Sequence, residues 1–281
     1  MLFRTQPETV ARIRYGEEDV STQSVFQYIE HDPILVSDLA ILSAEIYYRD
    51  EGIDIPQEMP EKFLHWDKLE NLNPPPPPEK IWHVGGLGME VWSTSHLNDT
   101  IAVLVFRGTR GIKKWQDWFA NCRWLTKYIP FTWDQYDETH HVAQYIVQAI
   151  KKSFGDDVQI FSAGHSLGGG LAQHAGYSVQ AIKTIYVFNT SPLTGFYSIP
   201  KSEREANAMD MRILRFYEHG EILAYFRLIM RFFYTLSYKN PSITELRFNF
   251  DRWDHFVKQH GMGKFALGLK KIAKTASNAR P

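Results

Sequence analysis

The chain has 281 residues, of which 44% are hydrophobic and 22% are charged. A chain of this length and composition buries a sizeable core, which excludes a disulfide-stapled mini-protein and a broadly disordered chain. Its 31 basic and 32 acidic residues give a net charge of -1, so no global positive field attracts phosphate backbones, and nucleic acid is not an expected partner.

Cysteine content and apolar segments predict where the protein acts. Cys122 is the only cysteine, which excludes an intramolecular disulfide and favours a reducing compartment. Residues 1–7 lack the apolar core of a secretory signal. The most apolar stretch, 222–238, contains two arginines and is too short to span a membrane. We expect a soluble protein that is cytoplasmic or is exported by a route without a cleavable signal peptide.

The first predicted element is an amphipathic helix. Asp32 followed by Pro33 is typical of an N-cap and first helical turn, and apolar residues then recur every three or four positions at Leu35, Leu39, Leu42 and Ile46. Five consecutive prolines at 74–78 predict a rigid polyproline II segment. The chain is thus expected to comprise an N-terminal helical segment over 1–73, a spacer over 74–80 and a core over 81–281, together forming one compact domain.

Three strands are predicted directly after the spacer. Residues 81–84, 87–94 and 101–106 are separated by turn sequences and predict successive antiparallel strands. The last of these segments is continuously apolar, as expected of a strand that is buried on both faces.

The second half of the chain alternates between strand and helix patterns. An apolar periodicity over 142–150, followed by Lys151, Lys152 and Gly155, predicts a helix and its C-terminal cap. Strands are predicted at 158–163, 184–188 and 213–217. Such alternation is typical of parallel βαβ units. We therefore predict an α/β fold with a mixed, mainly parallel central sheet and helices on both faces.

Ser166 lies in a Gly-x-Ser-x-Gly sequence between a predicted strand and a predicted helix rich in small residues. In this context the serine occupies a strained turn that exposes its hydroxyl at the carboxyl edge of the sheet. The flanking Gly164 and Gly168 allow the strand and helix to approach each other closely. The backbone N–H of Leu167, at the start of the helix, is placed to donate to an oxyanion.

Two motifs resemble those of the fungal-type, or class 3, lipases of the α/β-hydrolase superfamily. Gly-His-Ser-Leu-Gly-Gly at 164–169 resembles the nucleophile motif of that family, and Phe-Arg-Gly-Thr at 106–109 resembles its oxyanion motif. The resemblance covers roughly 97–263. It implies an α/β-hydrolase fold, a nucleophilic role for Ser166, and an oxyanion site formed by Thr109 together with Leu167.

A nucleophilic serine requires a base and an acid, which in this fold follow in the order serine, acid, histidine. The acid is expected just after the strand at 213–217. There, Glu221 fits the family pattern best, although the family usually has aspartate at this position. Glu218 is the nearest alternative, and Asp251 and Asp254 are more distant ones.

Two histidines follow the acid region. His260 precedes Gly261 and a predicted helix, so its position on a loop at a helix entrance agrees with the terminal histidine of the family. His255 is the alternative. We expect no cofactor. We also expect no metal, because the adjacent His140 and His141 do not face one site on a helix.

Aromatic residues cluster at 115–133 and 222–238. The family carries its lid near the first segment, and both segments are either ordinary packing or the walls of an acyl-chain pocket.

The resemblance implies a serine hydrolase that cleaves carboxylic esters of lipids, either a lipase or a phospholipase. The expected partners are a lipid or ester substrate and peripheral contact with a membrane or lipid interface. A small-ester or thioester hydrolase is the closest alternative. A non-catalytic binding protein on the same fold is the alternative from another class.

Overall fold

A computed structural model describes residues 9–13, 16–20, 33–51, 65–72, 74, 82–83, 86–96, 99–108, 132–218, 223, 241–248, 250 and 261–278. In these ranges the strands are β1 Thr9–Ile13, β2 Gly16–Val20, β3 Asp67–Lys68, β4 Trp82–His83, β5 Met89–His96, β6 Asp99–Phe106, β7 Thr132–Trp133, β8 Gln159–His165, β9 Ile182–Phe188, β10 Arg212–Glu218 and β11 Ser242–Phe248. The helices are α1 Pro33–Glu51, α2 Gln135–Phe154, α3 Leu167–Ser178, α4 Lys201–Asn207 and α5 Met262–Asn278, with a short 3-10 turn at Phe196–Ser198.

Nine of these strands form one sheet in the order β2-β1-β11-β10-β9-β8-β6-β5-β3. The central strands β6, β8, β9, β10 and β11 are parallel, whereas β5 and β3 on one side and β1 and β2 on the other are antiparallel. The fold is therefore α/β, and the prediction of a mixed, mainly parallel sheet is confirmed.

Strand order determines which face each helix covers. From β6 to β10 the chain advances through the sheet in one direction, so right-handed crossovers place the connecting helices on the same face. Accordingly, Leu104 and Phe106 of β6 pack in one core with residues of α2 and α3. Val103 and Val105, which alternate with them, point to the opposite face and pack with α1 and α5. The sheet thus separates two apolar cores.

The predicted helices agree with those observed. α1 begins at Pro33, and the four apolar positions of the predicted periodicity, Leu35, Leu39, Leu42 and Ile46, are buried. α2 ends before Gly155, whose φ of 91° belongs to the left-handed region that glycine adopts readily, and whose N–H donates to the Lys151 carbonyl. The strand at 101–106 is 3% exposed or less at every residue, as predicted.

Two predictions at the start of the sheet need correction. The segment at 81–84 does not form the first strand of an antiparallel series, because β4 pairs in parallel with β7 in a separate two-stranded sheet. The N-terminal portion is not only helical, since β1 and β2 form a hairpin and β1 extends the main sheet by pairing with β11. Apart from Pro74, the predicted proline spacer lies outside the described residues. Within the described ranges, no helix is long and apolar enough to cross a membrane.

Candidate active site

Ser166 lies on a strained turn between β8 and α3. Its backbone has φ 54° and ψ -125°, a region that residues other than glycine rarely occupy. The Ser166 N–H donates to the Phe188 carbonyl at 3.1 Å, and the Ser166 carbonyl accepts from Ser191 N–H at 2.9 Å. These bonds join the turn to the end of β9, so the surrounding structure stabilises the strained conformation.

Two glycines allow the turn to be this tight. A Cβ atom on Gly164 would clash with the Gly168 carbonyl oxygen, and a Cβ atom on Gly168 would clash with the Phe106 carbonyl oxygen. The first contact brings α3 against β8, and the second brings α3 against β6. Because β6 leads directly to the predicted oxyanion motif, the nucleophile turn and that motif are held side by side.

Four adjacent parallel strands end at the same edge of the sheet. The register pairs Phe106 of β6 with Gly164 of β8, and His165 of β8 with Phe188 of β9. The residues at this edge are Arg107, Ser166, Asn189 and Glu218. Ligands of parallel α/β sheets bind outside the carboxyl ends of the strands, so this edge is where chemistry is expected.

Asn189 connects the end of β9 to the end of β10. It is fully buried, and its φ of 41° lies in the left-handed region that asparagine tolerates better than most residues. Its N–H donates to the Phe216 carbonyl at 2.8 Å, and its side-chain Oδ1 accepts from the Glu218 N–H at 2.7 Å. The position of Glu218, which begins the predicted acid region, is thus determined from the neighbouring strand.

Glu218 also connects the end of β10 to Phe250, which follows β11. Its side chain is buried, with the residue 3% exposed, and its Oε2 accepts from the Phe250 N–H at 3.2 Å. Phe250 immediately precedes the segment that contains both candidate histidines. The Phe250 ring lies 5.5 Å, centroid to centroid, from that of Phe265 in α5, so Phe250 lies close to the first turns of that helix.

A polar network behind the turn supports α3. The Gln173 Nε2 donates to the Gly169 carbonyl at 3.1 Å and to Thr190 Oγ1 at 3.2 Å, while its Oε1 accepts from Arg215 at 2.8 Å. Arg215 also bonds Glu245 at 3.4 Å. Burial lowers the pKa of Arg215, but Tyr217, Glu245 and Tyr177 together outweigh this effect and raise it, so the guanidinium stays charged. The network joins the first turns of α3 to β10 and β11.

A small cavity lies beside α2 and α3. It has a volume of about 130 Å³ and is lined by Asp137, His140, His174, Ser198, Ile199 and Pro200. His174 is buried and its Nδ1 bonds the Thr194 carbonyl at 3.1 Å. Within the described ranges, no group of three or more His, Cys, Asp or Glu residues is arranged to hold a metal ion.

The predicted site residues divide into two groups. Ser166 and Leu167 lie at the strand-to-helix turn as predicted, and Glu218, the alternative acid, is buried at the same edge. The other predicted site residues and their alternatives lie outside the described residues: Thr109, Glu221, His260, His255, Asp251 and Asp254. The same applies to most of the two aromatic segments. Sequence reasoning missed Asn189, and the one available signal was an asparagine directly after a parallel strand.

A family model described as phospholipase-like, with a Tle-like phospholipase domain, matches residues 38–231. A curated relative, an extracellular phospholipase A1 from Serratia liquefaciens, is 35% identical over 104 residues. This match spans 37% of the present chain but only 28% of the relative.

Similar solved structures include lipase II from Rhizopus niveus, at 14% identity and a TM-score of 0.38, with 76% of each chain covered. The Rhizomucor miehei lipase propeptide complex has 15% identity and a TM-score of 0.41, covering 75% of this chain and 64% of that one. A Pyrobaculum calidifontis esterase has 14% identity and a TM-score of 0.37, covering 89% and 97%.

Proposed function

The chain belongs to the Tle-like phospholipase family, and from this premise we propose that it is a serine hydrolase that cleaves carboxylic ester bonds of lipids. The family match covers about two-thirds of the chain and includes the Ser166 turn. It confirms the resemblance to lipase-like α/β-hydrolases that the two motifs indicated. The observation that carries the proposal is the strained, glycine-flanked Ser166 at the carboxyl edge of a parallel sheet.

The proposed reaction begins with attack of Ser166 Oγ on the ester carbonyl carbon. His260 takes the proton from the hydroxyl and returns it to the leaving alcohol, which departs as the carbon–oxygen bond breaks. An acyl-enzyme remains on Ser166. Water, activated by the same histidine, then attacks the acyl carbon and releases the fatty acid.

Negative charge develops on the carbonyl oxygen in both steps. We assign its stabilisation to the Leu167 N–H at the N-terminus of α3 and to Thr109, which follows β6 by three residues. The contact between Gly168 and the Phe106 backbone supports this assignment, because it brings the start of α3 against the end of β6.

Glu221 is the proposed acid that orients His260, and Glu218 and His255 remain the alternatives for the two roles. The acid segment follows β10, and the base segment follows β11 and Phe250. Because β9, β10 and β11 are neighbours in the sheet, both segments begin at the edge where Ser166 lies. This arrangement supports the serine, acid, histidine order.

The proposed substrate is a phospholipid, cleaved at an acyl ester and not at a phosphate ester. The family description and the name of the Serratia liquefaciens relative both support this class. A substrate embedded in a lipid surface also requires contact with that surface, so we include peripheral contact with lipid in the proposal.

The test is turnover of p-nitrophenyl esters of increasing acyl length and of phosphatidylcholine vesicles, with fluorophosphonate labelling as an independent readout. Ser166→Ala should remove labelling and turnover. Ser178→Ala is the matched control, because Ser178 is a buried serine at the other end of α3 whose Oγ donates only to the His174 carbonyl among the described bonds. The proposal fails if Ser166→Ala retains wild-type turnover. A wild-type protein that neither labels nor turns over would favour the non-catalytic binding protein.

A further inference from the structure

We propose that Asn189 and Glu218 are positioning residues that together clamp the acid and base segments of the triad to the nucleophile strand. We further infer that Glu218 acts through the Phe250 amide and is not itself the triad carboxylate. This inference rests on the proposed function. The pair is called the Asn189–Glu218 clamp below.

The first link runs from the nucleophile to the acid segment. The Ser166 N–H is bonded to the Phe188 carbonyl, and the next residue, Asn189, accepts the Glu218 N–H on its side chain at 2.7 Å. Asn189 Nδ2 is buried and has no hydrogen-bond partner among the described residues. Because Glu218 is the last residue of β10, this bond sets where the acid segment begins.

The second link runs from the end of β10 to the base segment. Glu218 Oε2 accepts the Phe250 N–H at 3.2 Å, and the 251–260 segment starts at the next residue. At the far end of that segment, Phe265 in α5 is buried and its ring contacts those of Phe248 and Phe250, with centroids 5.7 and 5.5 Å away. Phe250 and Phe265, which flank the base segment in the sequence, are therefore held to the sheet and to each other, Phe250 by Glu218 and both by aromatic packing.

The bond to the Phe250 amide is the basis on which we assign Glu218 a positioning role and leave the triad role to Glu221. A triad carboxylate must present its oxygen to an imidazolium, and its charge is essential to that task. A carboxylate that accepts a backbone amide needs only an acceptor oxygen in the right place. Glutamine supplies that oxygen with nearly the same shape but without the charge, so the two roles are separable by substitution.

The experiment compares Glu218→Gln, Glu218→Ala and Glu221→Gln for kcat and KM on p-nitrophenyl butyrate and for the rate of fluorophosphonate labelling. Glu218→Ala should lower kcat at least tenfold with KM within about twofold of wild type. Glu218→Gln should rescue most of that loss. Glu221→Gln should lower kcat about a hundredfold, because it removes the charge. If Glu218→Gln is as impaired as Glu218→Ala while Glu221→Gln is active, Glu218 is the triad acid and the inference is overturned.

A readout that needs no turnover separates the clamp from the proposed function. Hydrogen–deuterium exchange of the 249–261 segment should accelerate about tenfold in Glu218→Ala and stay at the wild-type rate in Glu218→Gln. Unchanged exchange in both variants would overturn the clamp even in an active enzyme. Wild-type protein that takes no label would overturn the proposed function, while exchange would still decide the clamp.

Asn189→Gly provides a second test if Glu218→Ala does not fold. Glycine adopts the φ of 41° without strain, so this variant removes the side-chain acceptor while preserving the backbone. It should slow labelling and accelerate exchange of the acid segment at 218–222. Wild-type values for both measurements would contradict the role assigned to Asn189.

Discussion

The substitution Gly168→Ala tests whether the close contact between α3 and β6 aligns the nucleophile turn with the predicted oxyanion motif. A Cβ atom there would clash with the Phe106 carbonyl oxygen and would lie 2.8 Å from the Phe106 carbonyl carbon and 2.9 Å from that of Arg107. All three atoms belong to backbone, which cannot rotate away. Gly168→Ala must therefore displace α3 from the end of β6.

The size of the effect follows from these distances. Ordinary contacts begin at 3.4 Å, and the closest of the three, with the Phe106 carbonyl oxygen, falls short of that distance by the most, so the two elements must separate by about 1 Å. A misplacement of about 1 Å in an active site costs about a hundredfold in rate, so we expect Gly168→Ala to lower kcat about a hundredfold. Overpacking should also lower the free energy of unfolding by about 1–3 kcal/mol.

Gly176→Ala is the matched control, since it makes the same change on the same helix about 12 Å further along the axis. There the added Cβ would meet the ends of the Ile185 and Met211 side chains, which can move. The assay is kcat for p-nitrophenyl butyrate together with the fluorophosphonate labelling rate and the thermal unfolding midpoint. If Gly168→Ala and Gly176→Ala are equally destabilised and equally active, the Gly168 contact does not align the site and the reasoning is refuted.

Two further predictions concern strain and pH. Ser166→Gly should be more stable than Ser166→Ala by about 1 kcal/mol, because glycine relieves the positive φ; neither variant should label, and equal unfolding midpoints would contradict the strain. Burial raises the pKa of Tyr186 above its ordinary value, so above about pH 10 the unfolded chain loses this proton while the folded chain keeps it, and stability should fall by up to about 1.4 kcal/mol per pH unit. Chemical denaturation from pH 9 to 11 should show a smaller loss of unfolding free energy in Tyr186→Phe than in wild type. If the two proteins lose stability in parallel with pH, the prediction is wrong.

Local sequence patterns predicted the elements whose causes are local. α2 was predicted from its apolar periodicity and its glycine cap, whereas its start at Gln135, where the Asp134 side chain accepts the N–H groups of Tyr136 and Asp137, was not predicted. β6 is apolar at every position from Ile101 to Phe106. This pattern predicts that both faces of the strand are buried, even when the adjacent strands are unknown. Such signals depend on a few adjacent residues and need no knowledge of the tertiary fold.

Pairing between distant segments was not predictable in the same way. β11 has the sequence Ser-Ile-Thr-Glu-Leu-Arg-Phe, and β1 pairs with it although the two lie more than 200 residues apart. Likewise, β4 resembles the start of an antiparallel series, but its partner is β7. Strand partners are selected by the packing of the whole sheet, and short strands carry little information about that choice.

In the candidate site, too, some features follow from local sequence and others from contacts between distant segments. The sequence alone determined that Ser166 is the candidate nucleophile, because the strained turn needs glycines two residues before and two residues after the serine, and the helix must start at the next residue. Only the tertiary structure decided that Asn189 bonds Glu218 and that Glu218 bonds Phe250, across 29 and 32 residues of chain. Those contacts exist because β9, β10 and β11 lie side by side and end at one edge, a consequence of sheet order that no local pattern encodes.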